Sequence, residues 1–545
     1  MRRTVSTGRP SSLPLPALFT CAVVTAFTPA CSSTPRDPTG GGGAGGSTTS
    51  STSNASSTSG ASSTSGASST SGASSTSGAS STSSSGEASS SGSGGMCQPT
   101  GIETCAGPLD EDCDGTECGL WGRLYGNVGQ QSPQGIEVAP NGDIYIVGGF
   151  STIQFAGQTL QSDVVNNQFL AKLSASGQEL WIKKLPSQGN TGYFDLIGAT
   201  DTSVIIKTNL TATIDLGGGP LSSNGWGDAA FVAFSSAGVY QWGTTLTAPG
   251  DGVMWLSASE VSSLNQVVIA GFAGPGAVYQ GAAVTNPANQ KSRNWFGLAF
   301  DASTGALVWH HDFQVGDLEN NNTLKSVAVG PQGDVYITGS TFAPISFGGP
   351  ALTPVNWTQG FVAHLDGGGN WVDGGFLGDN IYPDQIEVGP GGEIIVSAAY
   401  DFYQLGGKPV PFQPGNVVFG VSGQYKPTWT QFMNEQISID VDADGVGFVL
   451  GNNQSFKVGG TTFGLKGTID LVAGKIGMDG AMKWYRQFGA SGASVDDASP
   501  RETFHLQPGG KAIILFQAKG GPIDFGFGPL SPAGSSTIGV VQLAM

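Results

Sequence analysis

The sequence predicts an all-β protein whose main body is a seven-bladed β-propeller, and three observations carry that expectation. A turn followed by a β-rich run recurs seven times, with turn positions at 142, 202, 265, 333, 392, 445 and 510. One tryptophan recurs at a matching place in each unit: Trp121, Trp181, Trp242, Trp309, Trp371, Trp429 and Trp484. The last unit stops before its own tryptophan strand, and the missing strand lies at the start of the repeat region. Self-similarity at a period of about 60 residues is the mark of a repeat architecture.

The chain reads in order as an address, a tether, a small cysteine-rich module and the repeats. Residues 1–30 have the shape of an export signal. Arg2, Arg3 and Arg9 give a positive start, and the apolar stretch from Leu15 to Phe27 is too short to span a bilayer comfortably. The following Thr28-Pro29-Ala30-Cys31 resembles a bacterial lipoprotein signal, in which the cysteine becomes the lipidated first residue. That resemblance implies a lipid anchor on Cys31 in a bilayer, and Ser32 after it implies sorting to the outer membrane, facing the periplasm or the cell surface. Ordinary secretion is the alternative.

Residues 31–95 are almost wholly Ser, Thr, Gly and Ala, and they include four copies of Ser-Thr-Ser-Gly-Ala-Ser. No apolar period runs through them, so there is no face to bury, and a disordered spacer is expected. Charge narrows the partners further. The chain carries 22 Lys and Arg against 40 Asp and Glu, for a net charge of −18. Phosphate recognition needs a basic face, so a nucleic-acid partner is not expected.

Residues 96–118 hold Cys97, Cys105, Cys113 and Cys118. Four closely spaced cysteines in an exported chain read as two disulfides, with three pairings open. The same segment carries Asp110, Asp112 and Asp114 at alternate positions, then Gly115 and Glu117. Alternate oxygen ligands around a Gly turn match the first half of a calcium loop. The twelfth position, where a bidentate Glu belongs, is Trp121. The segment resembles the Cys- and Asp-rich metal-binding modules of secreted bacterial proteins. Calcium on Asp110, Asp112, Asp114 and Glu117, or an acidic disulfide-bonded turn, are the two readings; no cofactor is required.

Residues 119–545 form the repeats. Pro140-Asn141-Gly142-Asp143 and Pro331-Gln332-Gly333-Asp334 show the opening turn before an apolar strand. An apolar residue then runs into a small-residue turn, as in Phe155-Ala156-Gly157 and Phe347-Gly348-Gly349. An apolar strand, a short polar turn and the Trp strand complete the unit. Four-stranded sheets in series bury both faces only by stacking on neighbours. The segment Gly119–Gly126 resembles Met482–Gly489, so the strand at Trp121 should pair with the terminal strand at 538–544 and close the ring. Closure removes two exposed sheet edges. The tryptophans, at the same place in every unit, read as packing residues between blades.

Phe347 to Leu352, Gly360 to Leu365 and Pro331 to Gly339 resemble the seven-bladed propeller-repeat group of bacterial surface and secreted proteins. The resemblance spans 119–545 and implies the fold more than an activity. Aligning the first strands sets Glu137, Ile197, Glu260, Ala328, Glu387, Asp440 and His505 at one level of the central channel. Four carboxylates and an imidazole there form a candidate ring for a cation or basic ligand. The alternative is that each carboxylate bonds nearby backbone or water. Asp440-Val441-Asp442-Ala443-Asp444-Gly445 is a second half-match to a calcium loop, explained equally by a turn. No catalytic residues stand out: four His residues have no metal-ligand spacing, and no Gly-x-Ser-x-Gly elbow occurs.

The expected function is therefore a non-enzymatic, monomeric envelope lipoprotein displaying its propeller to an extracellular protein or glycan. Two alternatives remain. Ala299 to Trp309 is similar to the repeat of quinoprotein-type propellers, implying an enzyme working in the channel, quinoprotein-like or a hydrolase. The same stretch is similar to propeller lipoproteins that scaffold outer-membrane assembly.

Overall fold

The computed structural model describes residues 119–545 apart from 127–128, 164–166, 187–192, 224–226, 250–252, 260, 287–293, 316–321, 356–357, 402–403, 406–407, 410–414, 434, 453–455, 459–460, 497–502, 508 and 534. The expectations for Cys31, for the tether, for the four module cysteines, and for Asp110, Asp112, Asp114 and Glu117 lie outside the described residues.

Seven antiparallel sheets follow one another along the chain and form a seven-bladed propeller. Blade 1 runs from its inner strand Gln131–Val138 through Ile144–Phe150 and Asn167–Leu173 to its outer strand Glu179–Leu185. The inner strands of blades 2 to 7 are Phe194–Ala199, Val253–Ala258, Thr323–Val329, Ile381–Val388, Ser438–Asp442 and Phe504–Gln507. The third strand of each blade is covered on both faces. Asn167–Leu173, Asp470–Ile476 and Thr537–Ala544 are buried along their whole length. This explains why Phe169-Leu170-Ala171 and Phe231-Val232-Ala233-Phe234 are continuous apolar runs instead of alternating ones.

The buried apolar side chains gather between blades, not inside any one of them. Val147 and Leu170 of blade 1 pack with Leu196, Ile206 and Phe234 of blade 2. Ile513, Leu515, Ile538 and Val540 of blade 7 pack with Ile136, Ile146 and Phe169 of blade 1 in the same manner. The closing interface is thus a core of the same kind as the rest.

Closure itself follows the expected pairing. The outer strand of blade 7 is Gly119–Tyr125, which pairs antiparallel with Thr537–Ala544. Trp121 faces Gln542, Arg123 faces Val540 and Tyr125 faces Ile538. Ser536 adds a hydroxyl bond of 2.6 Å to the carbonyl of Gln131, tying blade 7 to blade 1.

Between their second and third strands six blades carry an extra two-stranded hairpin, such as Thr152–Phe155 with Gln158–Gln161, or Ile214–Asp215 with Pro220–Leu221, and blade 4 has the short strand Ile345–Ser346 with a single bridge from Ile345 to Leu352. These hairpins are what the recurrent small-residue turns encode. Several extend the preceding blade's outer strand: Val278–Tyr279 pairs with Thr247 and Leu246, and Ile345–Ser346 with Val315 and Gln314.

The tryptophans work between blades. Trp181, Trp242 and Trp309 each donate their indole N–H to a carbonyl of the next blade: Ser236 at 3.0 Å, Ala302 at 3.2 Å and Gly367 at 3.1 Å. Each indole lies on the turn between the third and outer strands of that next blade. A glycine with positive φ sits under it: Gly177 (74°), Gly238 (77°), Gly305 (69°), Gly369 (80°) and Gly480 (81°). In blade 5 the position is filled by Tyr425, a non-glycine residue at φ 57°. Trp484 faces blade 7, whose outer strand Gly119–Tyr125 does not follow its third strand along the chain, and packs against Met545 instead.

Candidate binding site: the central channel

Glu137, Ile197, Ala328, Glu387, Asp440 and His505 all line a central cavity of ≈ 420 Å³, together with Lys207 and several serines. Glu260 lies outside the described residues. Lys207, from the second strand of blade 2, is ion-paired with Asp195 at 2.5 Å.

Lining one cavity does not make these groups converge. Among the described residues, no three His, Cys, Asp or Glu side chains come together in an arrangement that holds a metal ion. Instead, several polar side chains of the inner strands bond the backbone of a neighbour. Ser326 of blade 4 accepts the Ile386 N–H of blade 5 at 3.3 Å. Gln385 of blade 5 donates to the Ile439 carbonyl at 2.8 Å and accepts its N–H at 3.1 Å. Asp440 of blade 6 accepts the Leu506 N–H of blade 7 at 2.7 Å, and the N–H of its own neighbour Val441 at 2.6 Å. His505 of blade 7 donates from Nε2 to the Ile136 carbonyl of blade 1 at 2.9 Å. Adjacent inner strands are not paired as a ladder, so these bonds satisfy backbone groups that the sheets leave unmade. The bond to Ile136 fixes Nε2 of His505 as the protonated nitrogen, with Nδ1 turned toward Asp440 at 4.0 Å.

The second acidic loop is a turn held from within. Asp442 accepts the N–H groups of Asp444 and Gly445, both at 2.9 Å, and its other oxygen pairs with Lys475 at 2.6 Å. Blade 1 repeats the arrangement: Lys172 pairs with Asp143 at 2.7 Å and lies over the Tyr145 ring. In blade 4 a histidine replaces the lysine. His364 stacks on Tyr336 with centroids 4.5 Å apart, bonds Asp373 at 3.0 Å, and stands 3.8 Å from Asp334. Tyr425 also donates to Asp373; burial first, and then that bond, raise its phenol pKa. The remaining histidines, His310 and His311, follow Trp309 on the outer strand of blade 3, and burial lowers the pKa of His311.

Sequence reasoning missed a set of buried polar residues that open the third strand in five blades. The first residue of the third strand is Asn167, Asp228, Asn294, Gln359 or Asp470, and each of these is buried. Asp228 accepts the Ala248 N–H at 2.8 Å, and Asp470 accepts those of Lys466 and Gly467. The signal was present as a polar residue immediately before each apolar third-strand run.

No family model matches this chain, and no curated protein does. Solved structures of similar shape do exist, at low identity. An ulvan lyase, a polysaccharide lyase, shares 8% identity at a TM-score of 0.42, covering 77% of this chain and 96% of the lyase. The β-propeller domain of the Trilobed protease from Pyrococcus furiosus shares 7% at 0.38, covering 74% and 97%. BamB from Moraxella catarrhalis shares 10% at 0.31, covering 77% and 100%.

Proposed function

We propose that the protein is a non-enzymatic binding module of the bacterial envelope, held to the outer membrane by a lipid on Cys31 and carrying its propeller on the Ser/Thr/Gly tether. The observation that carries this reading is the use made of the channel's polar groups. Asp440, His505 and Gln385 bond backbone of adjacent blades, which supports a role in holding the ring and not in acid–base chemistry. Loops on such a rigid ring are free to vary in residue type, so recognition of an extracellular protein or glycan falls to the rims.

The anchor is tested by labelling cells with palmitate and fractionating them. The full chain should carry label and sediment with outer membrane, while Cys31→Ser should be unlabelled and soluble. An unlabelled wild-type chain overturns the anchor. The binding reading is tested by saturable retention of a ligand that is recovered chemically unchanged; turnover of that ligand by the purified full chain would move the protein into the enzyme class.

A further inference from the structure

The interface between blades 4 and 5 is built from different residues than the tryptophan interfaces. In blades 1 and 6 the tryptophan stands opposite a third-strand lysine, Trp181 across from Lys172 and Trp484 across from Lys475. In blade 4 the matching pair is Asp373 across from His364. Trp371, which sequence spacing aligns with the other tryptophans, sits two residues earlier, opposite Leu365, and stacks on Phe347 of its own blade. A small acid thus takes the place of the indole. The facing turn of blade 5 answers with the bulky, buried Tyr425 in place of glycine. Its ring lies against Gly375 of blade 4, and its hydroxyl donates to Asp373.

His364 completes the chain. Strand alternation puts it on the face of Val362, toward blade 5, while Ala363 and Leu365 face blade 3. The titratable groups around its ring are Tyr336, stacked on it, Asp334 from the preceding turn, Asp373 from the outer strand and, through Asp373, Tyr425. The strands of blade 5 that pack here present Ile394, Val396 and Phe419. Lys426 bonds the Phe376 carbonyl, and Glu393 accepts the Gly391 N–H of its own turn. An ionised carboxylate only accepts, so Nδ1 donates to Asp373 and the neutral ring carries its lone pair on Nε2. That atom is buried, has no hydrogen-bond partner, and stands 3.8 Å from Asp334. In blades 1 and 6 the lysine reaches the equivalent carboxylate at 2.7 and 2.6 Å.

We propose that His364 is a proton-operated clasp between blades 4 and 5. A proton added at Nε2 replaces a lone pair facing a carboxylate by a donor. The imidazolium then bridges Asp334 and Asp373, and Asp373 carries the link across the seam to Tyr425. Loss of that proton leaves Nε2 and Asp334 with nothing to share. A lysine in the same place stays charged throughout, whereas a histidine ordinarily changes charge at about pH 6.5. The protonated ring gains partners in the folded chain that it lacks in the unfolded one. The clasp therefore holds in acid and is lost as pH rises through the histidine range. Asp334 and Asp373 are 38% and 55% exposed, so solvent screens both pairs and the effect is modest and local to this seam.

The test is hydrogen exchange of the full chain, read by mass spectrometry at about pH 5 and about pH 8 and corrected for the intrinsic exchange rate. The readout is the blade 5 turn at residues 419–429. The control is the blade 2 turn at 231–242, which Lys172 holds through the Ser236 carbonyl. Protection of the blade 5 turn should fall by about threefold from the lower to the higher pH, relative to the control. His364→Lys should keep its protection at both pH values, and His364→Gln should be low at both. Asp334→Asn should abolish the pH dependence while leaving the Tyr425 bond to Asp373 in place. Equal changes in the two turns, protection that rises with pH, or a pH dependence that survives in His364→Gln overturns the proposal. The wild-type comparison of the two turns decides on its own should a variant fail to fold.

Discussion

The glycines beneath the tryptophans permit an internally controlled test of inter-blade packing. Gly238 and Gly305 occupy the same turn of consecutive blades, at φ 77° and 69°. Alanine at either position pays the left-handed backbone penalty, about 1 kcal/mol. The surroundings differ. A Cβ on Gly238 would stand 3.4 Å from the Trp181 ring, an ordinary contact, whereas on Gly305 it would stand 2.6 Å from Trp242. Since carbon atoms rest about 3.5–4.0 Å apart, Trp242 must retreat by about 1 Å, straining its 3.2 Å bond to Ala302. Overpacking of that kind adds about 1–3 kcal/mol. Gly238→Ala should therefore destabilise by about 1 kcal/mol and Gly305→Ala by about 2–4 kcal/mol, read from equilibrium urea unfolding of the full chain. In a Trp242→Leu background the cost of Gly305→Ala should fall to that of Gly238→Ala. Equal costs for the two alanines, or a coupling to Trp242 below about 0.5 kcal/mol, would show that the indole does not select the glycine.

Two further outcomes follow from charges buried between blades. Lys172→Met leaves Asp143 without its partner and removes a bond to the Ser236 carbonyl of blade 2. It should destabilise by about 1–3 kcal/mol in urea, and adding Asp143→Asn should restore most of that, since removing both charges spares the orphan. Burial raises the pKa of Asp312, and one of its oxygens is buried without a partner. The folded state then holds this proton more tightly than the unfolded chain, so wild-type stability falls as pH rises from about 4 through the raised value. Asp312→Asn should melt higher than wild type at pH 7, with the gap closing below about pH 4; a gap that is constant with pH would contradict the assignment.

The ring was legible in the sequence because its causes are local and repeated. A tryptophan recurs seven times, and five times it lies over a glycine turn of the next blade, so the blade interface is encoded in residues that single units display. Gly119–Gly126 could be matched to the missing strand because its Trp and aromatic spacing copy Met482–Gly489. The channel was half legible. Alignment put Glu137, Glu387, Asp440 and His505 at one level, but where each side chain finds its partner depends on inter-blade offsets that no single strand contains. Asp440 reaches a backbone N–H 66 residues away, and His505 a carbonyl 369 residues away.

Joining Gly119 to Leu543 also sets a timetable. The first strand leaves the ribosome about 420 residues ahead of its mate, a wait of roughly 20–80 s at usual synthesis rates. Through that interval the newborn chain offers two unsatisfied strand borders, and any copy that ends early keeps them for life. Without Thr537–Ala544 the edges of Gly119–Tyr125 and Lys511–Gly520 both stand bare, so the loss of that one strand opens the whole circle.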